Sequence, residues 1–134
     1  MKKIAIIVLC GLVLGCAKKA PECGSDKAKS LVLDATKDFI IHGYTSSIKN
    51  NLNLNEFNNW DEVITFSKEK AIEQYNNADV KLDIIRTDSV DDVALKSSCS
   101  ADIVDNMENR NSITYTLQLT EDGRIVTEVY KDRS

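Results

Sequence analysis

Between residues 25 and 77 the apolar positions recur at helical spacing, and from residue 80 onward they alternate. Ser25 or Asp26 is placed to cap a helix. Ala28, Leu31, Val32, Ala35 and Phe39 follow at intervals of three and four, which puts them on one face. Gly43 reads as the stop, with His42 in the last turn. The stretch from Tyr44 to Phe57 is polar and rich in asparagine (Asn50, Asn51, Asn53, Asn55), a loop or a frayed turn. Asn59 with Glu62 three residues on fits a capping box. Trp60, Val63, Ile64, Ser67, Ala71 and Tyr75 then form a second helical stripe, which Asn76 and Asn77 end.

Beyond Asp79 the period is two. Val80, Leu82 and Ile84 alternate with Lys81 and Asp83; Cys99, Ala101 and Ile103 with Ser98, Ser100 and Asp102; Ile113, Tyr115, Leu117 and Leu119 with Thr114, Thr116, Gln118 and Thr120. These are half-buried strands. The last strand pair is a hairpin with two candidate registers. A two-residue loop at Asp122-Gly123 sets Glu128 across from Leu117 on the apolar face. A three-residue loop with Gly123 in the left-handed bulge position pairs Leu119 with Ile125 and Tyr115 with Val129. The second register buries the better set and is the one expected. Two helices followed by strands, without strand-helix-strand alternation, make an α+β fold. Two helices pack on a roughly four-stranded antiparallel sheet, in a single domain over residues 25–134.

The first sixteen residues fall outside that pattern. Met1-Lys2-Lys3 is a short positive start, Ile4 to Leu14 is an apolar run broken only by Gly11, and Val13-Leu14-Gly15-Cys16 closes it. The run is shorter than the roughly 20 residues a membrane-spanning helix needs, and it fits the apolar core of an export signal. The ending resembles the bacterial lipoprotein signal, in which aliphatic and small residues precede a cysteine. That resemblance implies a signal peptide over residues 1–15 that is removed. Cys16 then becomes the new N-terminus and carries diacylglycerol and palmitate-type acyl chains, and residues 16–24 form a short tether. Each buried CH₂ is worth about 0.8 kcal/mol on insertion, so several chains hold a protein durably. Ala17 rather than aspartate follows the cysteine, which in enteric-type sorting resembles an outer-membrane destination facing the periplasm.

The chain has four cysteines. With Cys10 in the leader and Cys16 lipidated, Cys23 and Cys99 remain as one pair in an oxidising compartment, where disulfides persist. The mature chain also resembles a group of small bacterial lipoproteins without an established activity. The resemblance rests on Pro21-Glu22-Cys23 leading into a helix, Leu82 to Thr87, Cys99-Ser100-Ala101-Asp102, and Ile113 to Val129. It implies the same fold and a Cys23–Cys99 disulfide, and it supplies no catalytic residues.

Composition adds exclusions. Net charge is −4, and without Lys2 and Lys3 there are 15 basic residues against 21 acidic, or −6. That sign repels phosphate backbones, so nucleic acid is not an expected partner. Two thiolates and His42, the single histidine, lack the spacing of a metal site. Asp79, Asp83, Asp88, Asp91 and Asp92 lack the glycine and terminal glutamate of a calcium loop and read as a solvated rim. His42 reads as a helix C-terminal residue rather than an acid–base catalyst. Ser46 and Ser47 have no nucleophile context. Trp60, Phe57 and Phe66 are candidates for a ligand groove, but Trp60 lies on the apolar stripe and reads as core. The row Thr114, Thr116, Gln118, Thr120 is either plain solvent-facing strand or a flat docking surface. The expectation is therefore a non-enzymatic protein-interaction module of the cell envelope, without cofactor or metal. It would be held to the membrane by its lipid and bind another envelope protein in an immunity or exclusion role. The alternative is a small-ligand-binding lipoprotein with a cavity between helices and sheet. Nothing in the sequence specifies an oligomeric state.

Overall fold

The computed structural model describes residues 18–131. The lipidation candidate Cys16 lies outside the described residues. The order is helix α1 (Asp26–Asn50), a 3-10 turn (Leu54–Glu56), helix α2 (Trp60–Asn77), and strands β1 (Lys81–Asp91), β2 (Lys96–Val104), β3 (Arg110–Leu119) and β4 (Ile125–Lys131). The four strands form one antiparallel sheet in sequence order. The fold is α+β, as the change of period predicts.

Ser25 caps α1 by accepting a hydrogen bond from the Ala28 amide at 3.2 Å. The face that α1 buries runs through Ala28, Val32, Thr36 and Tyr44, with Ile40 half-buried between them. This is an i, i+4 row offset from the expected stripe, and it leaves Ala35 and Phe39 exposed. Thr36 belongs to it because its hydroxyl donates to Val32 O at 2.9 Å and so carries no unpaired polar atom inward. Gly43 does not stop the helix, which runs seven residues further. A helical glycine costs about 1 kcal/mol. Burying Tyr44 and the partly buried Ile48 against the second helix outweighs that, at about 25 cal/mol per Å² of apolar surface. Asn51 ends α1, its amide bonding Ile48 O at 3.0 Å and its side chain donating to Ser47 O at 2.8 Å.

Asn59 caps α2 by accepting from Glu62 N at 3.0 Å. The reciprocal arm reaches one residue further than expected: Glu62 accepts from Asn58 N at 3.0 Å and Asn58 Nδ2 at 3.2 Å. Helix α2 runs antiparallel to α1, with Lys49 over the Trp60 ring and Lys37 over the Tyr75 ring. Its buried row is Val63, Ser67 and Ala71, small side chains that let the two helices approach closely. Helix α1 covers the sheet, and α2 packs against α1.

The main core lies under α1. It joins Ala28 and Val32 to Cys99, Ala101 and Ile103 of β2 and to Ile113, Tyr115 and Leu117 of β3. The alternation in β2 and β3 is thus followed, and so is the hairpin register: Leu119 pairs with Ile125 and Tyr115 with Val129, with Gly123 at φ 83°. Strand β1 departs. A bulge between Asp83 and Arg86 puts Ile84 at φ 52° and turns it outward, 53% exposed, while Ile85 takes the inward place.

Candidate functional site

The start of the described chain is fastened to one end of the sheet. Cys23 is disulfide-bonded to Cys99, 76 residues on. The Tyr115 hydroxyl donates to Cys23 O at 2.8 Å, Ser97 Oγ to Pro21 O at 2.5 Å, and Ala20 N to Asp92 Oδ1 at 3.0 Å. Ala20 and Pro21, within the expected short tether, are therefore strapped beside the β1–β2 turn. The β3–β4 turn lies at the same end, since Leu119 N donates to Leu95 O at 2.9 Å. The opposite end holds the β2–β3 turn. There Tyr44 donates to Asp105 Oδ2 at 2.6 Å, and Asn106 N bonds Ala78 O at 2.8 Å.

Helix α1 leads from the strapped end to the opposite one. Six residues follow Tyr44 in it, about 9 Å at 1.5 Å per residue, so the helical hairpin overhangs the far end of the sheet. Side chains there have few neighbours to bury them. Leu54 is 52% exposed and Trp60 53%, with Ile64 and Phe66 also open. Trp60 is therefore not core, as its place on the stripe suggested: its helical turn extends past the sheet and lies by the end of α1, where Lys49 lies over its ring. Phe57 and Phe66 meet edge to face at 5.4 Å, beside Glu56, Asp61, Glu62 and Glu69. The overhang is an apolar tip with an acidic rim.

Between α1 and the same far end of the sheet is a cleft of about 380 Å³. Phe39, Ile40, Val80 and Ile103 give it apolar walls, and Asn111 and Lys131 give it polar ones. Gly43 borders it, and a Cβ placed there would meet nothing within 4 Å. Asp105 sits at its edge with both carboxylate oxygens occupied: Oδ1 accepts from Met107 N and Asn109 N, and Oδ2 from Tyr44 and Asn109 Nδ2. Burial alone would raise its pKa, but these bonds outweigh it and hold the carboxyl below the usual range. Tyr44 moves the other way, its phenol pushed up by burial and then by Asp105. Arg110 turns its guanidinium to Asp102 Oδ2 (2.7 Å) and Asp83 Oδ2 (2.9 Å) on the outer face of the sheet. Those hydrogen bonds hold both carboxyls low. Lys131 lies 5.0 Å from the Phe39 ring centre, and no carboxylate among the described residues pairs with it.

The acids singled out by sequence are dispersed. Asp83 faces Arg110, and Asp88 accepts from Ser100 at 3.1 Å. Asp91 holds the turn amides of Val93 and Ala94, and Asp92 holds Ala20. Among the described residues no three His, Cys, Asp or Glu side chains gather as a metal site. His42 is exposed in mid-helix, not in a last turn, because α1 continues. In the threonine row, Gln118 is committed to the β1–β2 turn, its amide donating to Ala94 O at 2.5 Å. A cavity between helices and sheet belongs to the alternative reading of the sequence, but its lining residues were not legible there. Its one signal is Gly43, a glycine inside a stripe that resumes at Tyr44 and Ile48. No helix among the described residues is long and apolar enough to cross a membrane. No family model, curated protein or solved structure matches the chain.

Proposed function

We propose that the protein is a non-enzymatic interaction module of the bacterial cell envelope. Its lipid-bearing Cys16 holds it to a membrane, in the outer membrane facing the periplasm, and its partner is another envelope protein. The observation that carries this reading is the polarity of the fold. The strap from Ala20 to Cys23 enters at the β1–β2 turn end, so an anchor a few residues earlier keeps that end near the bilayer. The exposed apolar side chains Leu54, Trp60, Ile64 and Phe66 gather at the opposite end, where a membrane-held domain meets other proteins. Exposed aromatic anchors with a charged rim are the usual composition of a protein-binding surface. An immunity or exclusion role suits such a module, because that task needs only occupancy of a partner's surface.

The test is position-specific photocrosslinking in native envelopes. A crosslinking residue at Trp60 yields one discrete protein adduct, and the same residue at Val93, beside the strapped end, yields none. Equal labelling at both positions, or no adduct from Trp60, refutes the reading.

A further inference from the structure

The cleft beneath the middle of α1 lies outside the docking reading above and stands without it. Three features of it are independent. Its volume of about 380 Å³ is within the range of small-molecule sites, roughly 300–1,000 Å³, and it holds roughly a dozen waters' worth of space. Its margin includes Gly43. A glycine inside a helix is unfavourable, and every larger residue at this position would send a side chain into open space bordering the cleft. Its charges are asymmetric. Asp105 has four donors on it, and Arg110 is spent on Asp83 and Asp102. That leaves the Lys131 ammonium, lying over the Phe39 ring, as the cation at the cleft with no carboxylate partner among the described residues.

We propose that this cleft binds an amphipathic organic acid, its apolar body against Phe39, Ile40, Val80 and Ile103 and its carboxylate at Lys131. The apolar walls supply the area that drives binding, and the ammonium sets the sign of the head group. The Asn111 amide is a further donor within the lining, with Ser47 and Gln74 beside it. A cationic amphiphile meets no free carboxylate, because Asp105 at the edge is already saturated. A neutral alcohol keeps the apolar contacts and loses the ion pair.

The probes are decanoate, decanol and decyltrimethylammonium, titrated below micelle-forming concentrations into the full mature chain. Binding is followed by amide shifts in two-dimensional NMR. Decanoate should give saturable shifts centred on Phe39, Gly43, Val80 and Asn111, with decanol about tenfold weaker and the ammonium compound weaker still. Lys131→Gln should reduce decanoate affinity about tenfold and leave decanol unchanged. Gly43→Leu should abolish binding of both while its far-ultraviolet spectrum and melting show an intact fold. Shifts centred on Trp60, or none that saturate, overturn the site. Equal affinity for decanoate and decanol, or no effect of Lys131→Gln on decanoate, overturns the assigned ligand class.

Discussion

Reducing the Cys23–Cys99 bond should remove more stability than any single side-chain change in this domain. The bond spans 76 residues. The chain-entropy treatment assigns such a loop about 4.5 kcal/mol at 25 °C. Domains of this size have total stabilities of roughly 5–15 kcal/mol, so the loss is about 30% or more of the whole. Unfolding entropy near 2.1 cal/mol/K per residue over the described chain converts it to a fall in Tm of roughly 15–20 °C. The native state adds a local term. Both cysteines are almost fully buried, and the bond secures the carbonyl that Tyr115 bonds and the segment that Ser97 bonds. The assay is urea unfolding of the mature chain with and without reductant, followed by both tryptophan fluorescence and far-ultraviolet circular dichroism. Reduction leaves the sulfur atoms in place, so it isolates the crosslink from the loss of packing that a double alanine variant would add. A reduced protein within 1 kcal/mol of the oxidised one would refute the reasoning, because the strapped segment would then be held by its hydrogen bonds alone.

Four further perturbations separate other parts of the account. Tyr44→Phe removes a donor to Asp105 and should cost about 1–2 kcal/mol in urea unfolding. The folded-state pKa values of Asp105, Asp102 and Asp83 are all depressed. Their contribution is therefore complete above the unfolded value of about 4 and is lost as pH falls below it. Unfolding midpoints measured from pH 6 to pH 2 should decline below about pH 4, and Tyr44→Phe should flatten part of that decline; an unchanged slope would remove Asp105 from it. Thr127 faces inward opposite Leu117 with its hydroxyl lacking a partner among the described residues, so Thr127→Val should stabilise by about 1 kcal/mol in the same assay, and a loss would show that the hydroxyl is satisfied in solution. Gly43→Ala should stabilise by about 1 kcal/mol by thermal melting, since its Cβ meets nothing; destabilisation would mean that the cleft is closed in solution.

The sheet was the most legible part of the sequence. In β2 and β3 one face is buried and the other polar, so a period of two fixes which side chains point inward, and Gly123 fixes the hairpin register. Strand β1 was less legible: Ile84 and Ile85 are adjacent and equally apolar, and only the bulge decides which faces the core. The helices erred in the opposite sense, where tertiary packing outweighed local signals. Gly43 is a stop by propensity, but the apolar stripe continues through Tyr44 and Ile48, and the second helix supplies the surface that makes continuing worthwhile. Trp60 lies in phase with the buried row of its helix yet remains open, because phase gives direction and not what lies in that direction. The cleft and the overhanging tip both arise from the length of α1 relative to the sheet, which no local pattern encodes. The pairing of Cys23 with Cys99 was legible because the expected leader and the expected lipid account for the other two cysteines.

Mass spectrometry of the N-terminal peptide of the protein isolated from native envelopes tests the anchored arrangement most directly. The account predicts a mature chain that starts at residue 16, with acyl chains on that cysteine and no unprocessed form in the membrane fraction. A peptide that retains Met1, or one that begins elsewhere with an unmodified Cys16, would contradict it. The strapped end would then have no bilayer to face, and the exposed tip no defined outward direction.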